Sequence, residues 1–158
     1  MIKLKEEIIS NVINIEPTYL VGIIAIIITF FYNYHSKKME HDKMNKELFK
    51  EFNSRYDKIN HSLHKISKEC KNLKDLEKNP KLEYKLNDFF NLCAEEYFWY
   101  KKGRIDKSIW LAWEDGMNDW YNNVAVIKEA WEAEVSKRGF KSYYITNKNA
   151  FFKERANF

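Results

Sequence analysis

Residues 17–38 read PTYLVGIIAIIITFFYNYHSKK. From Pro17 to Tyr34 the chain runs for 18 residues without a charged side chain. At ~1.5 Å per residue a helix of that length reaches roughly 27 Å, close to the ~30 Å hydrocarbon core of a bilayer. The inner run LVGIIAIIITFF is apolar on every side and has no face to turn to water. Tyr19 at one end, and Phe30, Phe31, Tyr32 and Tyr34 at the other, sit where aromatic belts mark the two membrane interfaces. A buried core helix is the first competing reading, but a chain of 158 residues is small for wrapping such a helix on all sides. A cleaved signal is the second. It calls for a basic start, whereas residues 1–16 carry two Lys against three Glu, and no A-x-A-like site follows. The expectation is a transmembrane helix over 17–36.

Basic residues set its direction. Lys37, Lys38, Lys43 and Lys46 follow the span, and only Lys3 and Lys5 precede it. The positive-inside rule then puts the C-terminal part in the cytoplasm and residues 1–16 outside, as a single pass through a bacterial inner membrane. Within 1–16, Leu4, Ile8, Val12 and Ile15 share one stripe with Ile9 and Ile13 beside it. That spacing fits an amphipathic segment on the outer interface. It could instead continue the span, but Pro17 argues for a break or kink there.

The span has its own pattern. Thr18, Gly22, Ala25 and Thr29 fall four, three and four residues apart, and Tyr32 and Ser36 extend the line. Lipid gives helices no hydrophobic reason to associate, so small residues that permit close approach take that role. The stripe reads as an oligomer seam or a pore-facing line. Ordinary membrane composition is the alternative. With one span per chain, the natural partners are the bilayer and further copies of the same chain, a tetramer among the copy numbers allowed.

Beyond the span, Phe49, Phe52, Tyr56, Ile59, Leu63, Ile66, Cys70 and Leu73 alternate steps of three and four. This is the a/d pattern of a heptad helix, expected over 37–78. The flanking positions are mostly polar and uncharged (Asn53, Asn60, Ser62, Ser67), so charge selects no partner. Coil packing through Phe49, Phe52, Tyr56, Ile59, Leu63 and Ile66 could zip copies together or join the chain's own later helices. Both uses stay open.

The net charge of +4 is unevenly spread. Residues 37–85 hold fourteen basic against nine acidic side chains, while residues 86–158 balance. A basic stretch beside the membrane suits anionic lipid, at ~1 kcal/mol per Lys near the surface. Cys70 and Cys93, on the cytoplasmic side, read as reduced packing residues. Four Gly and two Pro leave few tight turns, so the fold class is all-α.

Residues 79–158 read as a small cytoplasmic helical bundle with a tail. Asn79-Pro80 opens a helix whose buried face is Leu82, Leu86, Phe89, Phe90, Cys93, Tyr97 and Tyr100, and Gly103 ends it. Asp106 is placed to cap the next helix, with Ile109, Trp110, Trp113, Met117 and Trp120 facing inward. Asn122-Asn123 breaks again. A last helix uses Val124, Ile127, Trp131 and Val135 and stops at Gly139. The tail either packs through Phe151 and Phe152 or hangs loose.

No phosphate loop, dinucleotide turn or nucleophile elbow occurs, so an enzyme is not expected, nor is any cofactor. His61 and His64 lack further ligands at metal spacing, and no metal site is expected. Glu96 lies at the edge of a buried face, seven after Phe89 and four before Tyr100, and is expected to pair with Arg104 or a Lys. The stretch EEYFWYKKGRIDKSIWLAW interleaves large aromatics with Lys101, Lys102, Arg104 and Lys107. Such interleaving suits a nucleotide or single-stranded oligonucleotide, through stacking and phosphate contacts. The ligand candidates are Glu96, Trp99, Lys101, Lys102 and Arg104. The plainer reading is core, because 18 of the 75 residues from Tyr84 onward are aromatic, more than a groove needs.

FFNLCAEEYFWYKKGRIDKSIWLAW, with its K-K-G-R-I-D turn from Lys101 to Asp106, resembles uncharacterised bacterial single-span membrane proteins with a cytoplasmic helical domain. The likeness covers about residues 86–135. In layout the chain is similar to the Hailong-type anti-phage membrane effectors, homo-oligomeric channels controlled by an oligonucleotide. The resemblance implies a homo-oligomeric, ligand-gated channel or pore that depolarises the inner membrane in antiviral defence. It carries over no functional residue. The alternative is a non-conducting membrane-anchored scaffold or sensor that docks a cytoplasmic protein partner.

Overall fold

The computed structural model describes residues 16–153, apart from 139 and 148, and the side chains of 138, 140 and 141 are likewise left aside. The amphipathic stripe expected within 1–15 lies outside the described residues. Those described form five α-helices and one 3-10 turn, without a strand. Helix α1 runs from Pro17 to Glu69, α2 from Leu73 to Glu77, α3 from Pro80 to Lys101, α4 from Lys107 to Asn123 and α5 from Ala125 to Arg138. The 3-10 turn is Phe140–Tyr143.

Helix α1 begins where the sequence forces it. Pro17 stands in its first turn, where a missing N–H costs nothing, and the Glu16 carbonyl accepts from the amides of Tyr19 (2.9 Å) and Leu20 (3.4 Å). Between Gly22 and Gly103 the chain has no glycine, and between Pro17 and Pro80 no proline, so nothing interrupts the 53-residue helix until Cys70. The heptad helix expected to reach residue 78 therefore ends nine residues early. Leu73 opens the separate α2, capped by Asn72, whose side-chain oxygen accepts from the Asp75 amide at 3.2 Å.

The chain divides into two compact units, residues 1–43 and 44–158. Within the first, every residue from Glu16 to His35 is exposed, the large apolar side chains from Leu20 to Phe31 included. This is a helix long and apolar enough to cross a membrane, near the N-terminus, with none of its apolar window buried among the described residues.

The second unit holds the core. Phe52, Ile59, Leu63, Ile66 and Cys70 are buried in it, Tyr56 and Leu73 pack against it, and only Phe49 stays exposed, stacked on Trp113 at 5.9 Å. Of the two uses left open for the heptad stripe, the structure has the one within the chain. Helix α3 is the central element. Leu82, Leu86, Phe89, Phe90 and Cys93 are buried as expected, and so are Leu92, Ala94 and Glu96 on its other sides. It ends at Gly103 with φ +65°, where the Gly103 amide reaches the Tyr100 carbonyl (2.8 Å) and the Arg104 amide the Trp99 carbonyl (3.0 Å). That is a Schellman ending, which favours a residue without a Cβ.

Asp106 occupies the N-cap position of α4, but its side chain does not cap. Its carboxylate instead accepts from the Asn45 side-chain amide of α1 at 2.7 Å. The expected cap is thus a tie between helices. The tail question is answered too. Phe151 and Phe152 are fully buried against Phe89, Phe90, Tyr121 and Trp131, with Tyr121 stacked on Phe152 at 5.0 Å. Asn118 of α4 holds the segment in place. Its amide donates to the Phe151 carbonyl (3.0 Å), and its oxygen accepts from the Lys153 amide.

Candidate functional site

The sequence candidates fall in three separate places. In the span, Thr18, Gly22, Ala25 and Thr29 are all exposed, and a Cβ added at Gly22 would meet nothing within 4 Å. The Thr29 hydroxyl donates to the Ala25 carbonyl at 2.7 Å, so half of the stripe's polarity is turned onto its own helix. At the far end of α3, Lys101, Lys102 and Arg104 are exposed and Trp99 is half-buried against the core. The Lys102 ammonium lies over the Phe98 ring at 5.5 Å. None of these four lines the cavity that Glu96 lines. The five ligand candidates therefore do not form one pocket.

Glu96 marks the third place. It is 5% exposed, and it faces a cavity of about 170 Å³ between α1, α3 and α4. Asn53 and Tyr56 come from α1, Phe89 from α3, and Trp113 and Gly116 from α4. Local folding explains the convergence. The heptad register of α1 turns Tyr56 inward, three residues before the buried Ile59. Glu96 stands seven residues after Phe89, two turns along the same helix. The Trp120 indole N–H donates to the Tyr56 hydroxyl at 2.9 Å and fixes that ring.

The expected partner of Glu96 is absent. Arg104 is exposed in the turn after α3, and Arg55, whose charge acts on Glu96, is held by Glu95. The Arg55 guanidinium donates to both Glu95 carboxylate oxygens, at 2.6 and 3.0 Å, with Glu51 a further 3.7 Å away. The hydrogen bond to Glu95 holds the guanidinium pKa above its ordinary value. Glu96 makes no hydrogen bond among the described residues. Burial pushes its pKa up from 4.5 to about 8; the Arg55 charge pulls the other way, and Glu95 adds to the rise. At neutral pH the carboxyl is protonated. A neutral acid facing an aromatic-walled cavity can donate one hydrogen bond, or ionise when a positive charge arrives.

No protein family, curated protein or solved structure matches the chain.

Other candidates prove to be packing. Cys70 and Cys93 are free and buried, and burial raises both thiols above their ordinary pKa, which keeps them inert. The exposed His64 lays its ring edge-on against Trp120 at 4.9 Å. Among the described residues no three His, Cys, Asp or Glu side chains are grouped to hold a metal. What the sequence did not disclose is the cavity. Its one signal was Gly116, a glycine in mid-helix between Trp113 and Met117.

Proposed function

We propose that the chain is a single-pass membrane effector that assembles from identical copies and opens a ligand-gated channel or pore in a bacterial inner membrane. The observation that carries this reading is the bare apolar helix. Eighteen residues from Pro17 to Tyr34 are exposed among the described residues, and they carry one line of small residues, Thr18, Gly22, Ala25 and Thr29. Apolar surface of that extent is stable only in lipid or against other copies. The same helix then supplies the first core element of a domain with an unpaired acid in a cavity. Ligand binding there would bias the spans between closed and conducting arrangements, provided the two states bind it with different affinity. The similarity of the layout alone to Hailong-type effectors is in keeping with the same reading. Expression in bacteria, with membrane potential followed by a voltage-sensitive dye, tests it. Depolarisation by the parent chain and a changed response in Thr29→Leu is the expected result. A potential unaffected by expression, under every cytoplasmic condition tried, would overturn it.

A non-conducting anchor that docks a cytoplasmic partner is the second reading. The bond from the Thr29 hydroxyl to the Ala25 carbonyl favours it, because it leaves little polarity to line a wet pore. Exchanging residues 17–36 for an unrelated span discriminates: an anchor keeps its activity and a channel loses it.

A further inference from the structure

We propose that the cavity beside Glu96 is a binding site for a small organic ammonium ion, with the carboxylate as its counter-ion and the Tyr56 and Trp113 rings as its walls. The inference rests on Glu96 as a ligand contact and not on whether the span conducts.

Three observations carry it. The first is the acid itself, nine-tenths buried, lining the cavity and without a hydrogen-bond partner among the described residues. The buried side-chain atoms without a partner are Asn45 Oδ1 and Asn60 Oδ1, so the Glu96 oxygens keep access to the space of the cavity. The second is the surrounding charge. On α1 stand Arg55 and the Tyr56 phenol, with Glu51 beside Arg55. On α3 stand Glu95 and the Cys93 thiol. From α4 the cavity receives Ala112, Trp113, Gly116 and Met117, none of them titratable. Three carboxyl groups thus share one guanidinium, and Glu95 already holds it at two atoms. With that guanidinium held by Glu95, the ionised form of Glu96 has no ion pair of its own and suits a cation. Aromatic faces add to the attraction, Trp most of all. The third is Gly116. In the middle of α4 it costs the helix about 1 kcal/mol relative to Ala. Its φ is not positive, and a Cβ there would meet nothing within 4 Å. Among the described residues no neighbour requires the glycine, which is exposed and lines the cavity.

Size limits the ligand. An apolar cavity of about 150 Å³ takes up benzene, so about 170 Å³ holds a cation of about six heavy atoms. Cyclopentylammonium has that size, and cyclopentanol is its neutral counterpart. Isothermal titration calorimetry on the full chain in detergent micelles, in buffers of different ionisation enthalpy, reads both affinity and proton release. Because free Glu96 is protonated at pH 7, a bound cation drives its proton off. Affinity for the ammonium should rise by up to about tenfold per pH unit from pH 6 to 8 and then level off. At pH 7 the ammonium should bind at least about tenfold tighter than the alcohol, with proton release. Glu96→Gln should bind the two probes equally. Gly116→Leu, which adds bulk to the cavity lining and leaves the acid in place, should bind neither. Equal binding of the two probes by the parent chain, binding of neither, or ammonium binding that survives both substitutions would each overturn the proposal.

Discussion

Glu96 makes the stability of this protein depend on pH in an unusual direction. Its pKa is about 8 in the folded chain and near 4.5 in the unfolded one. Below pH 4.5 both states are protonated and the group is neutral in the balance. Above it the unfolded chain ionises first, so folding weakens as pH rises, by about 1.4 kcal/mol per unit at most, until the folded form ionises near pH 8. Urea denaturation of Glu96→Gln should therefore show a shallower pH dependence between pH 5 and 8, and higher stability than the parent at pH 8. Equal curves for the two chains would show that Glu96 is not buried. Asn118 sets a second test. Asn118→Ala strands the Phe151 carbonyl and the Lys153 amide, and it should cost about 1–3 kcal/mol in the same assay. Neither role was visible in the residues themselves. Glu96 could be placed at the edge of a buried face by counting from Phe89, but which of two adjacent glutamates Arg55 would choose depends on how α1 lies on α3. Nothing near Asn118 in the sequence singles it out, because its partners are 33 and 35 residues away.

At the scale of helices, periodicity told most of the story. The apolar stripe from Phe52 to Ile66 was legible as one face of one helix, and so were the faces of α3 and α5. Breaks were legible where Pro80 and Gly103 stand, because those residues change what the backbone can do. The end of α1 at Glu69 was not, since nothing in Cys70-Lys71-Asn72 forbids a helix. Spacing also could not say whether the stripe would meet another copy or its own chain, because both present the same apolar surface. In the proposed assembly, its burial leaves the span to join the copies. Ala25 and Ile27 lie about 200° apart on that helix. In membranes under a mild oxidant, Ala25→Cys should cross-link between copies and Ile27→Cys should not. The reverse pattern would place the seam on the opposite face. Cys70 and Cys93 are buried and should add little background. Inside the domain, Leu63→Ala should cost about 2–5 kcal/mol in urea, because Leu63 is fully covered by the core.

For the whole molecule, length and hydropathy alone picked out the helix that is long and apolar enough to cross a membrane. Carbonate washing at high pH should leave the full chain in the membrane fraction, and deletion of 17–36 should release it. The candidate site was less legible. Sequence grouped Glu96 with Trp99, Lys101, Lys102 and Arg104 because they are neighbours along α3. The fold instead gathers Asn53, Tyr56, Trp113 and Gly116 around it, from helices about forty residues before and about twenty after.

The buried Phe151-Phe152 pair has a consequence for biogenesis. These rings occupy the middle of the aromatic core, yet they are synthesised more than a hundred residues after the span. The insertion machinery would thus receive the apolar helix while the domain still lacks its last wedge. A nascent chain stalled before Phe151 would be anchored in lipid with an unfinished interior, the state in which quality-control proteases select their targets.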